Sequence, residues 1–304
     1  MHFPKILSFT VTNACNLRCK MCGQWSRNGY VANKVGRSEA SMDLKIWKRL
    51  VDEASDYEIQ MILVRGGEPF LFPAIIDLLE YINKKNIFIS IDTNGSIINK
   101  FARKLVEMGN LHITFSVDGP ENIHDKVRGK NGCFQKLQKN ITLFKKLENE
   151  LGNTISKSIC FTISKYSYLG LSQMPEVARS LGIKSVNIIP CYYFSKETGE
   201  KYEQEIYKLS GNPTFSWKGF EQDDSGIDIE IFTKQLRKYK ADPGSIENYP
   251  FLPLSEAEYK MWFSDSTTPV LWNSAEAEKF RHYRRNKPFS ICYRCGAKYI
   301  SEII

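Results

Sequence analysis

The sequence predicts an α/β protein built around a parallel β-sheet. From residue 5 to about residue 190, strand-like runs alternate with helix-like runs. Six such units in strict alternation imply parallel strands joined by right-handed crossovers. Six units are too few for a closed eight-stranded barrel, so a doubly wound sheet and an open, partial barrel both fit the pattern. In either fold, ligands are expected at the carboxyl ends of the strands, where the strand-to-helix loops meet.

Six runs rich in β-branched and aromatic residues predict the strands. They span residues 6–12, 60–64, 87–91, 112–117, 158–163 and 185–189. The stretches between them carry apolar residues at helical spacing, as in the first, where Trp47, Leu50 and Ala54 share one face. The predicted helices begin at Asp43 and at Pro73, and then cover about 99–108, 134–151 and 174–181.

Past residue 195 the strand–helix alternation is no longer visible. The stretch up to Pro253 is rich in Gly, Pro, Asp and aromatic residues, and a helical segment follows over 274–285. The 304 residues allow one large domain or two of unequal size. We therefore predict a main domain over residues 1–195 and a smaller C-terminal appendage over 196–304.

Composition and charge narrow the function classes. The hydrophobic share of 42 % and charged share of 25 % are ordinary for a globular protein. No apolar run approaches the roughly 20 residues that cross a bilayer, and the opening MHFPKILSFT lacks the features of a signal peptide. We expect a cytoplasmic location and no membrane partner. The formal net charge is +8, but basic and acidic residues are mixed along the chain, so nucleic acid is not the expected partner.

The eight cysteines are unevenly spaced. Cys15, Cys19 and Cys22 lie close together near the start, and Cys292 and Cys295 near the end. The remaining three, Cys133, Cys160 and Cys191, stand alone. A chain of this length without an export signal does not fit the class of small, secreted, disulfide-rich domains. The clustered cysteines therefore favour a metal site. Cys133 and Cys160 fall in helix and strand contexts, where a buried cysteine acts as a small hydrophobe.

The first three cysteines follow the first predicted strand directly. Thiolates are the ligands of iron–sulfur clusters, and a four-iron cube ordinarily takes four of them. Three in one loop leave one iron free to bind an amine and a carboxylate. Zinc is the alternative metal, but it would need a fourth Cys or His nearby, and none occurs between Gly23 and His112.

This CxxxCxxC spacing after the first strand resembles the radical S-adenosylmethionine (radical SAM) superfamily, over residues 1 to about 195. The resemblance implies a partial (β/α)6 TIM-like barrel with a [4Fe-4S] cluster held by Cys15, Cys19 and Cys22. In that family the open iron binds S-adenosylmethionine. An electron then cleaves the sulfonium C–S bond, which yields a 5′-deoxyadenosyl radical that abstracts hydrogen from a substrate.

Further motifs lie where that family would place them, at strand ends. The segment Gly66, Gly67, Glu68 and Pro69 resembles the GGEP motif, whose backbone and carboxylate receive the methionine amino group; glycines allow close backbone approach and a carboxylate suits an ammonium. The resemblance also implies cofactor contacts to ribose or carboxylate from Asn94, Ser116, Asp118 and Arg128. Residues 187–189 of the sixth strand would contact the adenine. Ordinary turn chemistry also accounts for Asn94-Gly95 and Asp118-Gly119.

Cys292 and Cys295, with the preceding helical segment, are similar to the SPASM and twitch extensions that bind auxiliary iron–sulfur clusters. The chain departs from that pattern because no cysteine lies between Cys191 and Cys292, so the usual hairpin is missing. An auxiliary cluster could then draw on Cys191 as a third ligand. Zinc on the final CxxC and two free thiols are the alternatives.

The sequence thus predicts a radical SAM enzyme that acts on a peptide, a sugar or a small metabolite. A flavodoxin- or ferredoxin-like protein would supply the electron, and a mildly basic surface suits such an acidic donor. One alternative is a non-catalytic iron–sulfur or zinc scaffold, which cofactor cleavage would distinguish. The other is an RNA-modifying member of the superfamily, which salt-dependent tRNA binding would reveal.

Overall fold

Seven parallel strands form one sheet in which each strand pairs with its neighbours in the chain. This is a computed structural model, and it describes residues 5–33, 42–211, 213–242, 247–248, 256, 259–260 and 263. The strands are β1 (Ile6–Thr12), β2 (Met61–Gly66), β3 (Phe88–Thr93), β4 (Leu111–Ser116), β5 (Ser156–Ile163), β6 (Ser185–Pro190) and β7 (Glu247–Asn248). The helices are α1 (Leu44–Asp56), α2 (Ile75–Lys84), α3 (Ala102–Met108), α4 (Glu121–Arg128), α5 (Cys133–Leu151), α6 (Met174–Leu181), α7 (Lys196–Ser210) and α8 (Ile229–Lys240).

The order and direction of the strands confirm the predicted partial TIM-like barrel. The six predicted strands form, and so do the helices predicted between them. A two-residue β7 adds to β6 through the pair Ser185 and Glu247. Within the described ranges β1 and β7 are the two edges of the sheet. The same part of the chain contains no helix that is long and apolar enough to cross a bilayer.

Side chains alternate across the sheet and give its two faces different characters. Ile62, Ile113 and Ile159 are fully buried and belong to one hydrophobic core with residues of the surrounding helices. Their neighbours along the strands point to the inner face of the barrel, because successive side chains of a strand alternate. That inner face carries polar residues such as Thr114 and Ser158, so it is built to meet a ligand rather than to fill a core.

Three differences from the sequence-based expectation concern helices. The predicted helix over 99–108 divides into a 3₁₀ turn, Ile98–Lys100, and α3. Helix α4, between Asp118 and the next helix, was not predicted because it is short and mostly polar. Helices α7 and α8 and strand β7 continue the alternation past residue 195. Helix α7 is mostly polar and lacks a continuous apolar stripe, which is why periodicity did not reveal it.

Helix α8 packs onto the barrel. The Asp228 carboxylate caps its start by accepting from the Ile231 N–H at 2.9 Å. Phe232 and Leu236 are buried in the same hydrophobic core as the strands. The division of the chain at residue 195 stays a prediction. The expected helix over 274–285 and the pair Cys292 and Cys295 lie outside the described residues.

Candidate iron–sulfur and cofactor site

The three clustered cysteines lie in one loop, residues 13–33, called here the cysteine loop. A small apolar group, separate from the main core, contains all three cysteines of the loop. Its other members are Leu17, Met21 and Cys133. The turn is tight, because the Cys22 N–H donates to the Cys19 carbonyl oxygen at 3.1 Å. The structure therefore gathers the three predicted ligands at the carboxyl end of β1.

Contacts within the cysteine loop fix the positions of these residues. The Arg18 guanidinium donates to the carbonyl oxygens of Cys15 and Leu17, each at 2.9 Å. It also lies over the Trp25 ring, 4.0 Å from the centroid. The Trp25 indole N–H donates to the Asn13 carbonyl oxygen at 2.6 Å. The loop is held by its own side chains, so the sulfurs are arranged before any ligand binds.

Burial favours the neutral form of the Cys15 and Cys19 thiols. It raises the pKa of Cys19 to about 12, against the opposing effect of the Arg128 guanidinium, and it also raises the pKa of Cys15. In the protein alone these groups are neutral thiols. Metal binding requires thiolates, so cluster assembly must release protons.

The GGEP segment runs directly against the cysteine loop. The Gly67 N–H donates to the Thr12 carbonyl oxygen at 2.7 Å, and the Glu68 N–H donates to the Ala14 carbonyl oxygen at 2.8 Å. A Cβ atom on Gly66 would collide with the Thr12 carbonyl oxygen, and one on Gly67 with that of Ala14. Glycine is required here because two backbones touch.

Glu68 is fully buried, and its carboxylate is engaged within the protein. Oε1 accepts from the Thr93 hydroxyl at 2.8 Å and from the Phe70 N–H at 3.3 Å, and Oε2 accepts from the Asn94 N–H at 2.9 Å. Burial raises the pKa of Glu68 to about 7 despite these hydrogen bonds. The side chain thus ties the GGEP turn to the end of β3.

Asn94 forms a second link between β3 and the cysteine loop. Its side-chain N–H donates to the Asn16 Oδ1 at 3.0 Å, and Asn16 in turn donates to the Ser96 hydroxyl at 2.8 Å. The Ser96 N–H completes the group by donating to the Asn94 Oδ1 at 2.9 Å. Sequence reasoning missed Asn16 and Ser96. The available signal was their position, one beside Cys15 and the other just after the Asn94-Gly95 turn.

Asp118 and Arg128 form a buried ion pair, with 2.7 Å between an Asp118 carboxylate oxygen and the Arg128 Nε. The Arg128 Nη1 also points at the Cys19 sulfur, 3.6 Å away. The Asp118 backbone N–H donates to the His124 Nδ1 at 3.3 Å, which fixes the strand end against α4. The predicted Ser116 lies nearby at the end of β4, half-buried, and its hydroxyl has no hydrogen bond to the described residues. The motif residues therefore lie close together, and Arg128 is held by protein groups.

A polar network on the inner face of the barrel was not predicted. Arg65 and Asp92, at the ends of β2 and β3, form an ion pair at 3.3 Å and are both partly exposed. Further along the wall, the Thr114 and Ser158 hydroxyls are 3.2 Å apart, and Ser158 lies 2.8 Å from the His112 Nε2. Asp92, Thr114 and Ser158 lie opposite one another on the neighbouring strands β3, β4 and β5. A sequence pattern does not reveal this register.

A cleft of about 290 Å³ opens beside the cysteine loop, at the ends of β5 and β6. Met21, Ile163 and Cys191 are among its lining residues. The Cys191 thiol points at the Met21 carbonyl oxygen, 3.9 Å away. Cys191 therefore lies beside the first cysteine group.

The donor set fits an iron–sulfur cluster and a polar cofactor. Across the described ranges, no three His, Cys, Asp or Glu side chains converge on a single ion. A four-iron cube does not require such convergence, because each of its thiolates binds a different iron. On strand β6, the Asn187 side-chain oxygen is buried without a hydrogen-bond partner among the described residues, and Asn187 lies directly opposite Cys160 of β5. An unpaired buried acceptor on this strand suits a ligand with hydrogen-bond donors.

The fold and the site together define a partial α/β barrel protein with a three-cysteine iron–sulfur motif at the carboxyl ends of its strands. The sequence model of the radical SAM superfamily matches residues 9–156. The chain belongs to the radical SAM superfamily, whose members use a [4Fe-4S] cluster and S-adenosylmethionine.

Several characterised proteins resemble the chain. It is 29 % identical over 161 residues to Fe-coproporphyrin III synthase of Methanosarcina barkeri, a match that covers 53 % of this chain and 37 % of the relative. It is 28 % identical over 189 residues to the cysteine-type anaerobic sulfatase-maturating enzyme of Clostridium novyi, covering 58 % and 48 % of the two chains. The chain thus spans about half or less of the length of these relatives.

Among solved structures, the fold is similar to native anSMEcpe with bound AdoMet and Kp18Cys peptide. The TM-score is 0.59 at 18 % identity, and the match covers 98 % of this chain and 88 % of that one. Streptococcus suis SuiB bound to precursor peptide SuiA gives a TM-score of 0.55 at 17 % identity, covering 78 % and 46 %. At these identities the likeness establishes the fold.

Proposed function

We propose that the chain is a radical SAM enzyme that starts its reaction by reductive cleavage of S-adenosylmethionine. The observation that carries this proposal is the joining of three motifs in one site. The cysteine loop is hydrogen-bonded to the GGEP turn through Ala14, and Arg128 reaches the Cys19 sulfur. With cluster and cofactor bound, this site would supply an electron to the sulfonium C–S bond and so give a 5′-deoxyadenosyl radical.

The residues of the chain would divide the work of holding these groups. Cys15, Cys19 and Cys22 would ligate three irons. Arg128 would offset the negative charge of the Cys19 thiolate, because its guanidinium is buried beside that sulfur. Ionised Asp118 would keep the guanidinium in place.

The cofactor contacts follow from the groups that remain available. We propose that the Ser116 hydroxyl binds the cofactor directly, since it is half-buried at the end of β4 without a described partner. Glu68 and Asn94 would act through the shape of the site, because both are already bonded to neighbouring protein groups. The methionine amino group would then meet the backbone at Gly66 and Gly67.

The substrate is proposed to be a peptide. The support is the likeness to a sulfatase-maturating enzyme in sequence and to peptide-bound anSMEcpe and SuiB in fold. A small metabolite is the competing substrate class, because Fe-coproporphyrin III synthase and a GTP 3′,8-cyclase are also relatives. An acidic flavodoxin- or ferredoxin-like protein would deliver the electron.

The experiment is anaerobic reconstitution with iron and sulfide, followed by dithionite, S-adenosylmethionine and detection of 5′-deoxyadenosine. We expect about four irons per chain and formation of 5′-deoxyadenosine. The matched control is Cys133→Ala, which removes a cysteine that packs in the same apolar group of side chains but lies outside the cysteine loop. This variant should keep both the iron content and the formation of 5′-deoxyadenosine. Iron without cofactor cleavage would indicate a scaffold protein, and no iron would favour zinc.

A further inference from the structure

The cysteine loop carries only positive charges. Residues 13–33 include Arg18, Lys20 and Arg27 and no Asp or Glu. All three basic residues are exposed. The Arg18 guanidinium is bound to the loop's own carbonyl groups, whereas Lys20 and Arg27 are among the residues that line the neighbouring cleft. A loop that holds sulfur ligands thus presents a uniformly basic outer face.

Two residues after β5 extend this basic face. The Lys20 Nζ lies 5.8 Å from the centroid of the Tyr166 ring, and the Lys165 Nζ lies 5.7 Å from it. Lys20, Arg27, Lys165 and Tyr166 all line the cleft beside the loop, and we call these four residues the basic collar. The one carboxylate among the lining residues of that cleft is Glu221. The collar therefore has an excess of positive charge.

The basic collar lies close to the sulfur ligands. Lys20 stands between Cys19 and Cys22 in the chain, and its backbone N–H donates to the Val127 carbonyl oxygen at 2.8 Å. This hydrogen bond fixes its backbone against α4. Lys20 is the residue next to Cys19, a proposed ligand of the iron–sulfur cluster. An electron from a protein that contacts the Lys20 side chain would therefore have a short path to the cluster.

The size and chemistry of the surface favour a small acidic protein over nucleic acid. Three cations are few compared with the roughly 6–10 phosphate contacts of a typical nucleic-acid site. Apolar area is also present, because Tyr166 is 36 % exposed and nearby Leu169 is 49 % exposed. Electron-transfer partners form small, weak interfaces, and opposite charges steer their encounter.

We propose that the basic collar is the docking surface for an acidic electron-transfer protein that reduces the cluster. This proposal rests on the proposed function, since it needs a cluster that accepts an electron. It assigns Lys20 and Lys165 to partner recognition, with no part in holding cluster or cofactor.

The test measures cluster reduction by stopped-flow absorbance with two reductants, flavodoxin hydroquinone and dithionite. In the variant Lys20→Glu/Lys165→Glu we expect flavodoxin to reduce the cluster about 10- to 100-fold more slowly at low ionic strength, within the range of electrostatic steering. Dithionite, which needs no docking surface, should reduce both proteins at the same rate. The wild-type rate with flavodoxin should fall as salt is added, and the variant rate should not.

Two further variants keep the result decisive. Lys84→Glu/Lys184→Glu makes the same charge change at exposed positions at the opposite end of the barrel, and it should keep the wild-type rate. Lys20→Gln/Lys165→Gln removes charge without reversing it and should give an intermediate rate.

Equal flavodoxin rates in the wild type and the collar-reversed variant would overturn the proposal. It would also be overturned if collar reversal abolished tRNA binding at physiological salt and left flavodoxin reduction unchanged, because the surface would then serve RNA. A wild-type chain that accepts no electron from dithionite contradicts the proposed function itself, which is a different result from a loss confined to flavodoxin.

Discussion

Glu68 allows a quantitative test of how the site is held together. Its carboxylate accepts three hydrogen bonds, two of them from the end of β3, at 2.8 Å from Thr93 and 2.9 Å from Asn94. A buried donor that loses its hydrogen-bond partner costs about 1–3 kcal/mol. Removing the carboxylate in Glu68→Ala leaves buried donors unpaired, so we expect a loss of about 3–5 kcal/mol in the free energy of unfolding at pH 5.

The isosteric change Glu68→Gln isolates the ionisation of this group. A glutamate in the unfolded chain titrates near 4.5, whereas burial raises the pKa of Glu68 in the folded protein to about 7. Between these values the folded state holds the extra proton. The stability that Glu68 contributes is therefore complete below pH 4.5 and declines as the pH rises towards 7. The pKa of Glu68 rises from 4.5 in the unfolded chain to about 7 in the folded protein. At about 1.4 kcal/mol per pKa unit, this rise corresponds to about 3 kcal/mol in the free energy of unfolding.

The assay is urea unfolding of the cluster-free protein at pH 5 and pH 8 under anaerobic, reducing conditions. We expect the wild type to lose about 3 kcal/mol more than Glu68→Gln between these two pH values. Glu107→Gln, at an exposed position of α3, is the control for a surface substitution. If the wild type and Glu68→Gln change in parallel with pH, Glu68 does not titrate in this range, and the argument from burial is wrong.

The other predictions concern the cluster and its supports. Changing any one of the three loop cysteines to Ala should remove most of the brown absorbance and all 5′-deoxyadenosine formation, and retained activity would contradict the ligand assignment. Asp118→Asn should cost about 3–5 kcal/mol in unfolding experiments, because it leaves the buried Arg128 charge unpaired; a smaller cost would mean that water reaches the guanidinium. Gly67→Ala should lower iron incorporation, because the new methyl group meets the Ala14 carbonyl oxygen, and normal iron content would show that the loop can move aside. Iron analysis of the full chain should give about four atoms, and about eight would establish an auxiliary cluster.

The fold was predictable because its signals are local. Strands β1 to β6 were recognisable from short apolar runs, and their strict alternation with helices fixed the parallel direction. Helices α4 and α7 escaped detection, since neither has the apolar stripe by which a helix is recognised in a sequence. Helix α8 was missed as well, although its Phe232 and Leu236 are buried in the main core.

The sequence by itself determined which residues gather at the carboxyl ends of the strands. The spacing of Cys15, Cys19 and Cys22 places three thiols in one loop, and glycines at 66 and 67 allow a second segment to touch it. Such features depend on neighbours in the chain and on the lack of a side chain, so they can be recognised without a structure.

Only the tertiary structure decided what each side chain contacts. Arg128 and Cys19 are 109 residues apart, and Asn94 and Asn16 are 78 apart. These contacts form only because the register of the strands brings distant segments of the chain together and buries their side chains. The same register pairs Arg65 with Asp92 on the inner face and gives Glu68 its three protein partners. Burial and pairing are properties of the folded chain, because they arise when distant segments exclude water from one another.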